Sequence, residues 1–504
     1  MHIAGGAVPH GTGCIFTDPM QIANAAGEKG LKCFCHMLEG LPVHSFIQLP
    51  SRVPAAEGME TSGGYFSPED TLRLMEEIGK IQPVSLGEVN AGELDGESTL
   101  KKLSYAASRG IRINGHCPSM GHDDLSVAAA AGISSDHEAE SGEELSHRLS
   151  TGMSVMVRQG TIEPNCEALI KYVVENDLPT DSLMFCTDDK SPEDILENGC
   201  IDNNIRIAIG CGLDPIKAIK LATLNPARHF GADDKLGSCT PGRYADFVLF
   251  EDLNSLAVKK VYFKGKLAAE NGIMWDFPQK SAERELSHML DTVKISDNLS
   301  EASLAVSLPH NCRSFTAAVI NMKSDSLITY KTQRTLKAES GFPIADTEND
   351  ILPIAVIEHY GKGGGVGCGF IHGLGIKHGA VASSTAQEGN NIAVSGTSYS
   401  DMLTAVKAVA NAGGGSAVCI GGKVIALRRL PFCGIMGTGS ITDEIAAADS
   451  FSKALDTLGS SNPRLMSVLT VSLCPSIPEI GLTDKGLIDV CSHKFISAAD
   501  NCLF

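Results

Sequence analysis

Residues 128–141 read AAAAGISSDHEAES: a run of small apolar residues ends at Gly132-Ile133 and gives way to Ser134-Ser135-Asp136-His137-Glu138-Ala139-Glu140-Ser141. An apolar run that stops in an imidazole and several carboxylates has the form of a buried strand that carries its chemistry at its C-terminal end. The form recurs through the first half of the chain. The runs GTGCIFTD, KCFCHML, VSLGEVN, IRINGHCP, GMSVMVRQG and SLMFCTDD read as strands, separated by helical patterns such as SPEDTLRLMEEIGKI and TLKKLSYAASRG. This is the rhythm of repeated βα units. The runs end in Asp18, Glu88, His116, His137, Arg158 and the pair Asp188-Asp189. In a (β/α)₈ barrel the strand ends gather on one face, so Glu88, His116, His137 and Asp188 are expected to converge at the barrel mouth. Carboxylates with imidazoles suit a divalent cation such as zinc, manganese or iron. Any one of the four could equally be a cap or a surface residue; four in succession argue for a site.

Composition narrows the function. At 504 residues the chain is long enough for two or three domains. A formal net charge of −19 with no basic block argues against nucleic acid and against an anionic membrane as partners. The sixteen cysteines are scattered singly apart from Cys33-Phe34-Cys35, without the paired spacings of zinc ribbons, and are read as reduced thiols of a cytoplasmic protein. No basic, apolar leader and no long uninterrupted apolar stretch is seen, so neither export nor membrane insertion is expected. The Gly-rich stretches GKGGGVGCGF and NAGGGSAV lack a following Gly-Lys-Ser/Thr and read as tight turns, not phosphate cradles. Arg158 at a strand end either faces substrate or pairs with a neighbouring carboxylate. Met153 and Met156 read as core.

Beyond Asp189 the motifs become specific. The segments ATLNPARHFG, PGRYADFVLFEDL and VYFKGKLAAENG resemble the exit of an amidohydrolase-superfamily barrel into its small β-sandwich. LGEVN, NGHCP, SSDHE and CTDD resemble the strand-end motifs of the adenine deaminase family, and IAVIEHYGKGGGVGCGFIHGLGIKHGAVASSTAQEGNNIAVSGT, LPFCGIMG and IPEIGLTDKGLIDV resemble its C-terminal domain. The resemblance implies an α/β fold: a (β/α)₈ metal-dependent hydrolase barrel lacking its first strand over residues 1–230, a small β-sandwich remnant over 231–285, and an α+β domain over 286–504. It implies hydrolytic deamination of adenine, a cyclic amidine, to hypoxanthine and ammonia in purine salvage or catabolism. Glu88 is then a carboxylate bridging two metals, His116 and His137 ligands of one of them, and Asp188 a ligand that also moves protons; Glu88 and Asp188 are the catalytic pair. Arg158, Asp189 and Glu138 are assigned to substrate. The cofactor implied is a divalent metal, manganese first and iron or zinc next, and the assembly implied is a homodimer acting on a small molecule in the cytoplasm.

The sequence also departs from the family pattern. It contains no His-x-His pair, which in the family closes the first barrel strand and holds the second metal, and it opens at MHIAGGAVPHGTG, near the entry to the second strand. Asp18-Pro19-Met20-Gln21 stands for DPHE, Gly199-Cys200-Ile201-Asp202 for GHID, and Ala386-Gln387-Glu388-Gly389-Asn390-Asn391 for AHDSHN. These departures predict at most one tightly held metal here, and they leave a second reading beside the deaminase: a catalytically impaired or non-catalytic relative that keeps the fold as a binding or regulatory module.

Overall fold

The computed structural model describes residues 2–80, 84–253, 255–275, 286–290, 292–323, 328–477 and 479–503. The chain divides into two compact units, residues 1–19, 35–51 and 66–281 in one and residues 20–34, 52–65 and 282–504 in the other. The sequence-based boundary at 285/286 lies at the edge of a stretch outside the described residues.

The first unit is built on a seven-stranded sheet whose strands follow one another in chain order. They are β1 (Cys14–Thr17), β2 (His44–Pro50), β3 (Ser85–Asn90), β4 (Arg112–His116), β5 (Ser135–Asp136), β6 (Ser154–Arg158) and β7 (Leu183–Cys186). Each neighbouring pair is parallel. A parallel strand is covered on both faces, which is why these segments read as short apolar runs and not as alternations. Helices such as Cys166–Glu175 and Ile201–Gly210 supply the cover: Leu169, Ile170 and Val173 pack with Val155, Val157, Leu183 and Phe185 in one core cluster. Four antiparallel strands complete the unit, β8 (Phe247–Phe250), β9 (Val258–Phe263), β10 (Lys266–Glu270) and β11 (Ile273–Met274).

One strand was misread. KCFCHML is not a strand but the last part of the helix Met20–Leu38, and the second strand of the sheet is the following HSFIQLP. Seven residues are too few to separate a strand from a buried helix by periodicity, and Gly27, at φ 61°, breaks the helical repeat that would have exposed the error.

The second unit is dominated by a large mixed sheet carrying the apolar strand Ile351–Ile357, buried along its whole length. One face holds Ile320, Leu352, Ile354, Val356, Ile371 and Val381. The other is covered by the helix Tyr399–Asn411 through Met402, Ala405, Val406 and Val409. Residues 20–34 and 52–65 join this unit by polar contacts: Arg52 Nη1 lies 2.9 Å from Glu388 Oε1, Thr61 N–H donates to Asp484 Oδ1 at 2.8 Å, and Asn390 Nδ2 donates to the Gln21 carbonyl at 3.2 Å. The substituted motifs at 20–21 and 387–390 therefore have local partners. No helix among the described residues is long and apolar enough to cross a membrane.

Two outcomes follow from this polar interior. The Arg52–Glu388 pair is almost wholly buried, and Ser476 Oγ also donates to Glu388 Oε1 at 2.7 Å. Arg52→Ala strands a buried carboxylate and is expected to destabilise the chain by about 3–5 kcal/mol in urea unfolding, whereas Arg52→Met with Glu388→Leu costs less than the single change. Burial, with Glu388 and Asp484 adding to it against a hydrogen bond from Ala56 N–H, pushes Glu60 up to about 8. The folded chain therefore keeps a proton that the unfolded chain releases at about 4.3. The stability this proton confers is full below the unfolded value and is lost as pH rises toward about 8. Glu60→Gln is expected to flatten the decline of the urea midpoint over that window.

Candidate metal centre

Glu88 lies in β3, His116 ends β4, His137 follows β5 directly, Arg158 ends β6 and Asp188 stands just past β7. Parallel pairing in chain order is what brings these positions to one edge. The β3–β4 register sets Asn90 opposite His116, and β6–β7 sets Arg158 opposite Cys186.

Their side chains meet. The ligand atoms of Glu88, His116 and His137 all lie within 4.8 Å of one another, and so do those of His137, Glu138 and Asp188. His116 Nδ1 is 3.7 Å from Glu88 Oε1 and 3.2 Å from Glu138 Oε1. His137 Nε2 is 3.4 Å from Glu88 Oε2, 2.9 Å from Glu138 Oε1 and 4.0 Å from Asp188 Oδ2. The backbone of Glu88 is fixed from the next strand, because Ser51 Oγ donates to its carbonyl at 2.6 Å. Asp188 adopts the left-handed conformation at φ 55°, and its Oδ1 accepts from the Asp189 N–H at 2.8 Å. A Cβ on Gly160 would come within 2.9 Å of the carbonyl oxygens of Thr187 and Asp189, so only glycine lets the β6 loop lie against this turn.

Charge in the site is balanced from one side. Arg158, 1% exposed, places Nη1 2.9 Å from Glu138 Oε1 and 3.3 Å from Asp188 Oδ2, while its Nε donates to Asn165 Oδ1 at 2.7 Å and Nη2 lies 3.5 Å from Glu163 Oε2. Of the two readings of Arg158, the geometry shows the pairing with carboxylates. Burial works against a charge on His137, yet Glu138, Glu88 and Asp188 overcome it and lift the imidazole to about 10. Burial likewise opposes ionisation of Glu138, and Arg158, His116 and His137 hold it well below the usual carboxylate range. Burial pushes Glu163 up to about 7 although Arg158 opposes it.

This donor set fits a divalent cation. Three carboxylates hold a proton on His137 in a buried position, which is the electrostatic signature of a place that attracts positive charge. Two imidazoles and carboxylate oxygens suit zinc, manganese or iron, and the buried thiols nearby do not compete as thiolates: burial, with Asp136 and Asp188 beside them, pushes Cys117 and Cys186 well up. Asp189, expected at the substrate, is exposed and belongs to neither ligand group. Glu138, expected to touch substrate, stands within the second group. Sequence reasoning missed Ser51, Glu163 and Asn165, whose places depend on loops crossing between strands; for Asp136 the signal was there, a carboxylate beside a strand-end histidine.

The chain is similar to known proteins along nearly its whole length. The family described as "Amidohydrolase family" matches residues 7–268, and the one described as "Adenine deaminase C-terminal domain" matches residues 326–494. The chain is 39% identical over 494 residues to an adenine deaminase of Desulforamulus reducens, covering 97% of this chain and 82% of the relative. It is 34% identical to adenine deaminases of Kosmotoga olearia, over 97% of this chain and 83% of the relative, and of Methanothrix thermoacetophila, over 96% and 82%. Among solved structures a triazine hydrolase variant covers 57% of this chain and 74% of its own at 13% identity and a TM-score of 0.41.

The ligand assignment predicts a difference between the grouped side chains and Asp189 outside them. After gel filtration in manganese-containing buffer, Glu88→Ala, His116→Ala and His137→Ala are each expected to lose bound metal measured by mass spectrometry of the acid-digested protein, while Asp189→Asn retains the content of the unaltered chain.

Proposed function

The chain belongs to the adenine deaminase family of amidohydrolases, and from that premise we propose that it hydrolyses adenine to hypoxanthine and ammonia at the cluster formed by Glu88, His116, His137 and Asp188. The observation that carries the reading is the meeting of those four side chains, drawn from separate strands, with ligand atoms in two mutually close groups. The family implies a divalent metal as cofactor and a small molecule as substrate.

A bound divalent cation supplies Lewis acidity that brings the pKa of water toward about 7. Manganese is the metal we assign, with iron or zinc as the other cations compatible with nitrogen and oxygen donors. Glu88, His116 and His137 would hold it. Because His137 belongs to both ligand groups, the donor set supports one tightly held cation.

The remaining chemistry belongs to Asp188. Its carboxylate, about a third exposed, is reachable by solvent and substrate, and its left-handed backbone fixes the direction in which it points. We assign it to accept the proton of the attacking water and return it to the purine ring or to the departing amine, a transfer worth roughly 10²–10⁴-fold in rate. Arg158 Nη1 donates to Asp188 Oδ2 at 3.3 Å and holds that oxygen in place. Of the three residues assigned to substrate, Asp189 is the exposed one and can read a purine edge directly; Arg158 and Glu138 act on substrate through the charge they set around the ligands. A homodimer is proposed on the family resemblance and is checked by light scattering. The reading of an impaired relative has no support in the comparisons, where 34–39% identity to adenine deaminases runs along nearly the whole chain.

The test is direct. The manganese-loaded chain is expected to release ammonia from adenine with loss of the adenine absorbance, and Asp188→Asn to lower kcat by at least about 10²-fold with adenine binding retained. Adenine left intact while another cyclic amide or amine is consumed would refute the substrate assignment.

A further inference from the structure

His116 and His137 must be held at a fixed separation if both are to bind one cation, and the sheet alone does not do it. The pairing of β4 with β5 has a single register pair, Asn114 opposite Ser135. It is supplemented one residue back by the Ser134 N–H on the Ile113 carbonyl at 2.8 Å and by Ser135 Oγ on Asn114 Oδ1 at 2.7 Å. Two residues further on, where the imidazoles stand, no register pair between these strands is present among the described residues. Parallel strands that have left their ladder are free to splay.

A buried carboxylate takes over. Asp136 and Arg148 are both fully buried, and neither belongs to a ligand group. Asp136 Oδ1 accepts the N–H of Cys117 at 2.8 Å, the residue after His116. Asp136 Oδ2 accepts the N–H of Glu138 at 2.9 Å, the residue after His137. Arg148 Nε donates to the same Oδ2, its Nη2 donates to the Cys117 carbonyl at 2.8 Å, and its Nη1 donates to the Glu144 carbonyl at 3.1 Å. Cys117 is therefore gripped at both its N–H and its carbonyl, while Asp136 ties that residue to the peptide following His137. The imidazole centroids stand 5.6 Å apart at 39°.

We propose that the Asp136–Arg148 pair is a positioning device that continues the hold of the sheet where the short β4–β5 ladder ends, fixes the separation of His116 and His137, and so sets the affinity of the centre for its cation. The proposal rests on the reading of these two histidines as ligands. Arg148 is itself placed by the helix Gly142–Ser150, whose first turn is fixed by a reciprocal Ser141–Glu144 cap and whose Leu145 is buried in the core. The arrangement makes a specific demand on chemistry. Asp136 receives three N–H donors on two oxygens and donates nothing, which a carboxylate can do and an amide of the same shape cannot. In either orientation, Asn at 136 turns an NH₂ group toward at least one donor and releases one of the two ligand-bearing peptides.

The experiment titrates the folded full-length chain with manganese alone and reads free Mn²⁺ by electron paramagnetic resonance, with circular dichroism and urea unfolding on the same samples. Asp136→Asn is expected to weaken manganese affinity by roughly 10–100-fold, the usual consequence of losing a group that orients a ligand. Its kcat should recover toward that of the unaltered chain at saturating metal. Arg148→Lys keeps the buried positive charge but cannot reach both Asp136 and the Cys117 carbonyl, and is expected to fall between the two. A purely structural role predicts instead a lower urea midpoint with manganese affinity of the folded fraction unchanged within twofold, and that result overturns the proposal. His116→Ala separates the levels: if it binds manganese as tightly as the unaltered chain, the ligand reading itself is wrong; if it loses manganese while folded Asp136→Asn does not, the positioning role alone is wrong. Should Asp136→Asn fail to fold, Arg148→Lys carries the test, and loss of native circular dichroism in both variants would make the pair a folding element and equally overturn the proposal.

Discussion

Parallel pairing of strands in chain order is the constraint on which everything else in the first unit depends. It forces every strand to end on the same edge, so residues one hundred positions apart, Glu88 and Asp188, come within the reach of one imidazole without any loop having to carry them there. The same constraint has a weakness. Strands as short as Ser135–Asp136 contribute little ladder, and the ladder is gone by the point where a ligand is needed. A site built at strand ends therefore calls for a further set of hydrogen bonds to hold its ligands, supplied here by side chains: Ser51 on Glu88, and Asp136 with Arg148 on the peptides beside the two histidines.

The electrostatics follow from burial. Glu88, Glu138 and Asp188 surround His137, and three carboxylates gathered about one imidazole repel one another. Arg158 answers part of that charge through Glu138 and Asp188. A proton on His137 answers more, its imidazole being lifted by Glu138, Glu88 and Asp188 against the cost of burial. Arg148 and Asp136 form a second, fully buried pair whose opposite charges face each other and not the ligand atoms. Two buried arginines thus have different tasks. Arg158 adjusts charge; Arg148 fixes geometry.

What could be read in the sequence was whatever depends on local pattern. Apolar runs ending in ionisable residues marked β3 to β7 and with them Glu88, His116, His137 and Asp188, since a strand buried on both faces leaves the same trace wherever it occurs. KCFCHML failed by the same rule, because a buried stretch of helix beside a kink at Gly27 leaves that trace too. Tertiary facts were not legible. Nothing in the segments 20–34 and 52–65 shows that they pack with residues beyond 282, because that depends on single partners such as Glu388 for Arg52 and Asp484 for Thr61. The family resemblance assigns Glu138 to substrate, and only the folded side chain shows its oxygen between the imidazoles of His116 and His137.

Asp188 shows how the fold accepts strain where chemistry needs it. A non-glycine residue at φ 55° is costly, by roughly 1–3 kcal/mol for strained backbone of this kind, and persists only when its surroundings over-determine it. Here they do. Its Oδ1 closes on the next peptide N–H, Arg158 holds its Oδ2, and the Thr161 N–H donates to the Asp189 carbonyl at 3.0 Å from a loop that Gly160 allows to approach. The product of this restraint is a carboxylate with one oxygen committed to the backbone and the other facing the ligands. In the proton-transfer role proposed for Asp188, a carboxylate that swung freely would have to be reoriented at every turnover, whereas one fixed by backbone and guanidinium together would begin each cycle in place. The strain at Asp188 and the clamp at Asp136 are then two forms of one requirement: a short strand ends before its chemistry begins, and the last residues must be held by something other than the sheet.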